Sequence, residues 1–175
     1  MFTPYRPLTQ LLTLAGEVRG RKKLQKMVFI AQRLGYPFSE PFDLHVWGPY
    51  SDLLAVKLKE MTDWGFARET ELPGPAGNTH YVYTPGANAA RALEGAQESP
   101  KARERLSGLV VHLNNQDATF LEGVATVMYL RAKGMADDGV CESLARLKPD
   151  KFSDAARVQA CLTFATDLDS FRYDG

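Results

Sequence analysis

The sequence predicts an α+β fold that is mostly α-helical, with a winged-helix-like N-terminal half packed against a C-terminal helical bundle. Through most of the chain apolar residues recur every three or four positions, which is the period of one helical face. Two segments before residue 86 alternate in hydrophobicity instead, and a proline- and glycine-rich stretch separates them. We therefore expect a winged-helix-like domain at 1–85 and a helical bundle extension at 86–175, and the two could share one core.

Apolar stripes that end at glycines predict the first two helices. The first stripe covers 8–18 and stops at Gly20, and the second covers 21–34 and stops at Gly35. Residues 42–47 then alternate as a short, half-buried strand does.

The dipeptide Gly48-Pro49 predicts the start of a third helix, because proline fits the first helical turn. That helix would extend to Met61, with Ser51 or Gly48 as its cap. Residues 66–72 and 79–84 are expected to pair as a hairpin around the turn-forming tip 73–78. A helix followed by a hairpin completes the order typical of a winged helix, in which that helix faces the partner.

Only helical patterns follow Pro85. A short helix is predicted at 87–93, Ser99 and Asp117 are expected to cap the next two, and Asp137 and Ser153 to begin the last two. Pro149 is expected to end the helix that begins at Asp137.

Composition favours a cytoplasmic protein without a membrane span. The N-terminal stretch has no basic leader with an apolar core, and no apolar run is long enough to cross a bilayer. The chain has two cysteines, Cys141 and Cys161, which we expect to be buried thiols rather than a disulfide framework.

Charge is balanced overall but not along the chain. Lys plus Arg and Asp plus Glu number 21 each, whereas residues 1–60 hold nine basic and five acidic residues. No His/Cys pair has metal-ligand spacing, and neither a phosphate-binding glycine loop nor a nucleophile elbow is present. We therefore expect a non-catalytic protein without a metal or another cofactor.

Three separated blocks carry a family resemblance. They are 14–26, which contains Leu24-Gln25-Lys26; 45–51, His-Val-Trp-Gly-Pro-Tyr-Ser; and 121–130, which begins Leu-Glu-Gly. Together they resemble the YwgA family of uncharacterised bacterial proteins, although Trp47 stands where tyrosine or phenylalanine is expected. The first two blocks are also similar, more remotely, to the Panacea antitoxin-like domains. The first resemblance implies a winged-helix-like fold, and the second a protein that binds and neutralises a partner protein.

One hypothesis is a DNA-binding transcriptional regulator whose C-terminal helices pair two copies in a homodimer. The third helix would enter a groove of duplex DNA while basic side chains of the first 26 residues hold the phosphates. The residues proposed for nucleic-acid contact are Arg19, Arg21, Lys22, Lys23, Lys26, Ser51, Lys57 and Lys59.

The alternative is a protein-binding module of antitoxin or inhibitor type. The third helix lacks the Arg, Asn or Gln that read bases, and the hairpin tip has no Lys or Arg. Four aromatic residues would then anchor the partner, as aromatics do in many interfaces. They are Trp47, Tyr50, Tyr81 and Tyr83.

Overall fold

The computed structural model describes residues 2–74, 77–96 and 99–173. Its helices and strands confirm the prediction of an α+β fold that is mostly helical. In chain order they are α1 (Arg6–Ala15), β1 (Val18–Arg19), α2 (Arg21–Arg33), β2 (Asp43–His45), β3 (Gly48–Tyr50), α3 (Asp52–Asp63), β4 (Ala67–Pro73), β5 (Thr79–Pro85), α4 (Ala89–Leu93), α5 (Pro100–Asn114), α6 (Ala118–Ala132), α7 (Asp137–Leu147), α8 (Pro149–Phe152) and α9 (Ala155–Asp167).

The N-terminal half contains an antiparallel sheet in the order β1-β5-β4. Helices α1, α2 and α3 precede the β4–β5 ribbon, and β1 lies between α1 and α2. This is the winged-helix order. The prediction missed β1, because two residues are too few to show an alternating pattern.

Helix α1 is shorter than its apolar stripe predicts. It ends at Ala15, where Gly16 adopts a positive φ of 69°. Val18 was assigned to the first helix, but it lies in β1 and pairs with Tyr83 of β5. The stripe continued through Val18 because a buried strand residue and a buried helix residue are both apolar.

The prediction that Gly48-Pro49 opens the third helix is wrong. Both residues lie in β3, which pairs with β2 in a second, two-stranded sheet. Helix α3 begins at Asp52, and the Oγ atom of Ser51 accepts a hydrogen bond from the Leu54 amide at 3.2 Å, as one of the two predicted caps. The turn-forming tip of the β4–β5 ribbon includes residues 75 and 76, which lie outside the described residues.

The C-terminal helices follow the predicted order with one addition. Ser99 and Asp117 cap α5 and α6 as predicted. Pro149, however, begins the additional short helix α8 as well as following α7, and Asp154 rather than Ser153 caps α9.

One hydrophobic core runs through both halves of the chain. Helix α6 lies at its centre, where it packs against α2, β3, α7 and α9, and α1 packs against α5. Helices α2 and α6 are therefore buried on nearly all sides, over Leu24–Ala31 and Leu121–Val127.

The two cysteines are free thiols, of which Cys161 is buried and Cys141 only partly so. Burial raises the pKa of Cys161 to about 11. In the part of the chain that the structure describes, no helix has the length and apolarity needed to cross a bilayer.

Candidate functional site

The three blocks of the sequence resemblance meet at the β2–β3 hairpin. Gln25 of α2 exchanges two hydrogen bonds with the Ser51 backbone, from its Nε2 to the Ser51 carbonyl at 2.9 Å and from the Ser51 amide to its Oε1 at 3.0 Å. The adjacent Lys26 donates from Nζ to the Pro49 carbonyl at 2.6 Å. The Leu-Gln-Lys block therefore positions β3 and the start of α3.

Helix α6 supports the hairpin from the other side. Gly48 has φ +79° and lies so close to α6 that an added Cβ would stand 3.0 Å from Oγ1 of Thr126 and 3.3 Å from Cγ of Glu122. A side chain at this position would adopt a strained backbone conformation and would press on both α6 residues. The Gly-Pro-Tyr-Ser block and the Leu-Glu-Gly block are thus in direct contact.

A buried carboxylate, Glu122, lies beneath the hairpin and pairs with two lysines. Lys148 and Lys151 both donate to it, Lys151 to Oε2 at 3.0 Å. Burial raises the pKa of Glu122, but the hydrogen bonds from the two ammonium groups outweigh that effect and lower it. Lys148 also donates to the Val46 carbonyl at 2.6 Å and so holds the hairpin tip.

Positive charge exceeds negative charge in this cluster. Burial is the main cause that lowers the pKa of Lys26 to about 8; the nearby charges of Lys148, Lys22 and Lys151 act in the same direction, and Glu122 opposes them. Burial likewise lowers the pKa of Lys148. The side chains packed beneath the hairpin therefore include more ammonium groups than carboxylates.

The tip of the hairpin is exposed. Val46 is 74% exposed and Trp47 is 46% exposed. The Lys22 ammonium lies 4.7 Å from the centroid of the Trp47 ring, in a cation–π contact. We call the surface formed by Lys22, Val46, Trp47 and Lys151 the hairpin patch.

Two residues proposed for phosphate contact are buried. Lys26 is fully buried and donates to Pro49, and Ser51 is 1% exposed and caps α3. Neither can reach a phosphate without displacing β3. Sequence spacing assigned Lys26 to the outer face of α2, but that face is covered by β3 and α6.

The other basic residues of β1 and α2 that were proposed for phosphate contact differ in their bonding partners. Arg19 pairs with Glu17 at the surface, at 2.6 Å. Arg21 pairs with Glu69 at 2.9 Å, and this hydrogen bond raises its pKa. Lys23 donates to the Asn114 carbonyl, and burial lowers its pKa. Lys22 differs from these three, because its described contact is with an aromatic ring.

The two basic residues of α3 also have acidic partners. Lys57 is mostly buried and pairs with Glu40, which is itself buried. Lys59 is exposed and pairs with Asp63 one turn later, at 3.0 Å. Helix α3 therefore offers little unpaired positive charge to a groove of DNA.

The outward face of α3 carries two aliphatic residues that are not among the predicted site residues. Leu53 is 58% exposed and Val56 is 53% exposed. Together with the exposed polar residues around it, this pair forms a surface that we call the α3 face. Its residues are Asp52, Leu53, Val56, Lys59, Glu60 and Asp63. The sequence contained a signal for this exposed pair, because the two apolar residues are three positions apart and do not belong to the inner stripe of Leu54, Leu58 and Met61.

The four proposed aromatic anchors have different environments. Trp47 is exposed and Tyr83 is buried, with its hydroxyl bonded to Glu69. Burial and that carboxylate raise the pKa of Tyr83. Tyr81 is partly buried, and the centroid of its ring lies 3.5 Å from the guanidinium carbon of Arg21. Of the four, Tyr83 therefore cannot anchor a partner.

Tyr50 lies in an open groove between α2, α3 and the three-stranded sheet. The groove has a volume of about 480 Å³, and Arg21, Lys59, Glu69 and Thr62 contribute to its lining. Its polar side chains are largely bonded to each other, as in the pairs Arg21–Glu69 and Lys59–Asp63. Within the described ranges, no group of three or more His, Cys, Asp or Glu residues is arranged to hold a metal ion.

Comparison with known proteins identifies a relative of similar length. No protein-family model matches the sequence. The chain is 31% identical over 149 residues to the protein described as Uncharacterized protein YwgA of Bacillus subtilis (strain 168), an alignment that covers 85% of this chain and 86% of the relative.

Proposed function

The chain belongs to the YwgA family, and from its surface chemistry we propose that it is a non-catalytic protein-binding module of antitoxin or inhibitor type. The observation that carries this proposal is the exposed pair Leu53 and Val56 on α3, the helix that precedes the β4–β5 ribbon. Adjacent aliphatic residues on a helix are the usual anchors when a helix packs into an apolar groove of another protein.

The charge of the α3 face supports a protein partner over DNA. Asp52, Glu60 and Asp63 supply three carboxylates there, against the single ammonium of Lys59. Glu60 also accepts a hydrogen bond from the Tyr5 hydroxyl at 3.1 Å, which orders it in place. Such a face repels a phosphate backbone, whereas it suits a partner with an apolar groove and a basic rim.

Duplex DNA is the second candidate partner. The winged-helix order and the excess of lysines beneath and around the hairpin favour it. Against it stand the internal partners of Arg21, Lys26 and Lys57 and the acidic α3 face. We therefore place DNA binding, with a homodimer formed by the C-terminal helices, behind protein binding.

The test is a comparison of variants in affinity capture from cells of the source organism, with quantitative mass spectrometry. The variant L53E/V56E removes the aliphatic pair at exposed helical positions. V111E is the matched control, because Val111 of α5 is 52% exposed. We expect the native chain and V111E to recover one stoichiometric protein, and the double variant to recover about tenfold less of it.

Electrophoretic retardation of duplex DNA at low salt is measured with the same proteins, and we expect none. Retardation that weakens steeply as salt increases would instead support the DNA reading. Recovery of no stoichiometric protein, or equal recovery by the double variant, would overturn the role given to the α3 face.

A further inference from the structure

The hairpin patch presents an apolar centre that the fold holds in one conformation. The carbonyl groups on either side of Trp47 and Gly48 are bonded to buried lysines, Val46 to Lys148 and Pro49 to Lys26, each at 2.6 Å. Gly48 is wedged against α6 between these two bonds. An exposed tryptophan on such a fixed turn loses little conformational entropy when a partner covers it.

Positive charge surrounds this apolar centre. Lys148 and Lys151 share the carboxylate of Glu122, and Lys148 touches Val46. On the other side, Lys22 lies over the Trp47 ring. The charges that act on buried Lys26 are those of three further lysines, Lys22, Lys148 and Lys151, and of one carboxylate, Glu122. The charge excess is therefore not neutralised within the cluster.

We propose that the hairpin patch binds an acidic segment of a partner protein, with an apolar side chain of the segment packed on Trp47 and Val46 and its carboxylates facing Lys22 and Lys151. This inference rests on the proposed protein-binding function and adds a second contact to it. Lys22 and Lys151 are the accessible cations of the patch, since Lys151 is 37% exposed and Lys22 is at the surface.

A short acidic segment fits this surface better than an extended polyanion does. Strand β3 leads directly from the hairpin patch into α3, where Asp52 and Glu60 are exposed. A DNA duplex or an anionic bilayer that reached the patch would meet those carboxylates as well. A peptide segment can bind beside them without contact.

The experiment is a selection of random peptides displayed on phage against the full-length protein. The recovered peptides are then synthesised and titrated by fluorescence anisotropy. We expect Asp and Glu to be enriched around an aromatic or aliphatic residue. W47A should weaken binding by about tenfold or more, and K151Q by about threefold to tenfold.

K133Q serves as the charge-matched control, because Lys133 is an exposed lysine at the other end of α6. It should change affinity by less than about twofold. Circular dichroism and thermal unfolding of each variant establish that the fold is retained, and K22Q replaces K151Q if loss of the Glu122 pair unfolds the chain.

Several results would overturn the inference. They are selection of no peptide or of peptides without acidic enrichment, equal weakening by K133Q and K151Q, or binding that W47A leaves unchanged. Tighter binding to phosphatidylglycerol vesicles or to duplex DNA than to the peptides would also overturn it. If L53E/V56E abolished peptide binding and W47A did not, the role of the hairpin patch would be contradicted and the proposed function would stand.

Discussion

At the scale of single residues, the backbone of Gly48 decides how the hairpin docks. Its φ of +79° costs an L-residue about 1–2 kcal/mol, and its missing side chain lets β3 approach the α6 residues Glu122 and Thr126. The positive φ and the close approach to α6 are separate requirements, and another glycine of the chain has the positive φ alone. Gly134, after α6, has φ +87° with nothing within 4 Å of an added Cβ.

Comparison of G48A with G134A therefore separates strain from close approach. We expect G134A to lower the free energy of unfolding by about 1–2 kcal/mol. G48A should lower it by about 2–4 kcal/mol, because the hairpin must also move away from α6. Urea denaturation measures both, and equal losses would show that contact with α6 does not constrain Gly48.

Residue identity alone does not predict the environments of Lys26, Ser51 and Tyr83. Lysine and serine are ordinarily surface residues and tyrosine is often partly exposed, so each was proposed as a contact for DNA or a protein. All three are buried; the Ser51 cap follows from its chain position, whereas the hydrogen bonds of Lys26 and Tyr83 do not. Lys26 donates to Pro49, which is 23 positions away, and Tyr83 donates to Glu69, which is 14 positions away.

At the scale of elements, α6 determines where the hairpin patch lies. The helix is apolar on nearly all sides, and its buried polar residues Glu122 and Thr126 are one turn apart on the side that faces β3. A carboxylate in such a helix requires a cation, which the α7–α8 junction supplies through Lys148. A lone acidic residue in an apolar helix was the sequence signal for this pair.

A double-mutant cycle tests that pair. E122Q leaves the buried Lys148 without its carboxylate, so we expect it to lower the free energy of unfolding by about 3–5 kcal/mol. E122Q/K148M should recover most of that loss, because the buried Lys148 ammonium is removed together with its carboxylate. Urea denaturation at neutral pH measures each corner of the cycle.

K151M provides the control for the cycle. Lys151 binds the same carboxylate but is 37% exposed, so its removal should cost less than about 1 kcal/mol. A double variant as unstable as E122Q would mean that Lys148 is not the group that needs Glu122.

At the scale of the whole molecule, the N-terminal half does not enclose its own core. Helix α2 packs against α5 and α6, and α1 packs against α5. Removal of the residues after α4 would expose the buried apolar faces of α1 and α2 to water, at about 25 cal/mol for each Å². The change in sequence character near residue 86 therefore does not coincide with a gap in the core.

We accordingly expect a truncated chain of residues 1–96 not to fold cooperatively. Its thermal unfolding, followed by circular dichroism, should lack the sigmoidal transition that the full-length chain shows. Dispersed amide signals in the NMR spectrum of the fragment would contradict this expectation and would indicate an autonomous winged-helix domain.

The sequence by itself determined the local structure of this protein: the helical stripes, the Ser99 and Asp117 caps, the β4–β5 ribbon and the mostly helical class. Those features depend on neighbours three or four positions apart or on alternation, which a linear pattern records. Only the tertiary structure decided which polar residues are accessible. Burial of Lys26 and exposure of Trp47 depend on contacts between α2, β3 and α6, which are far apart in the chain.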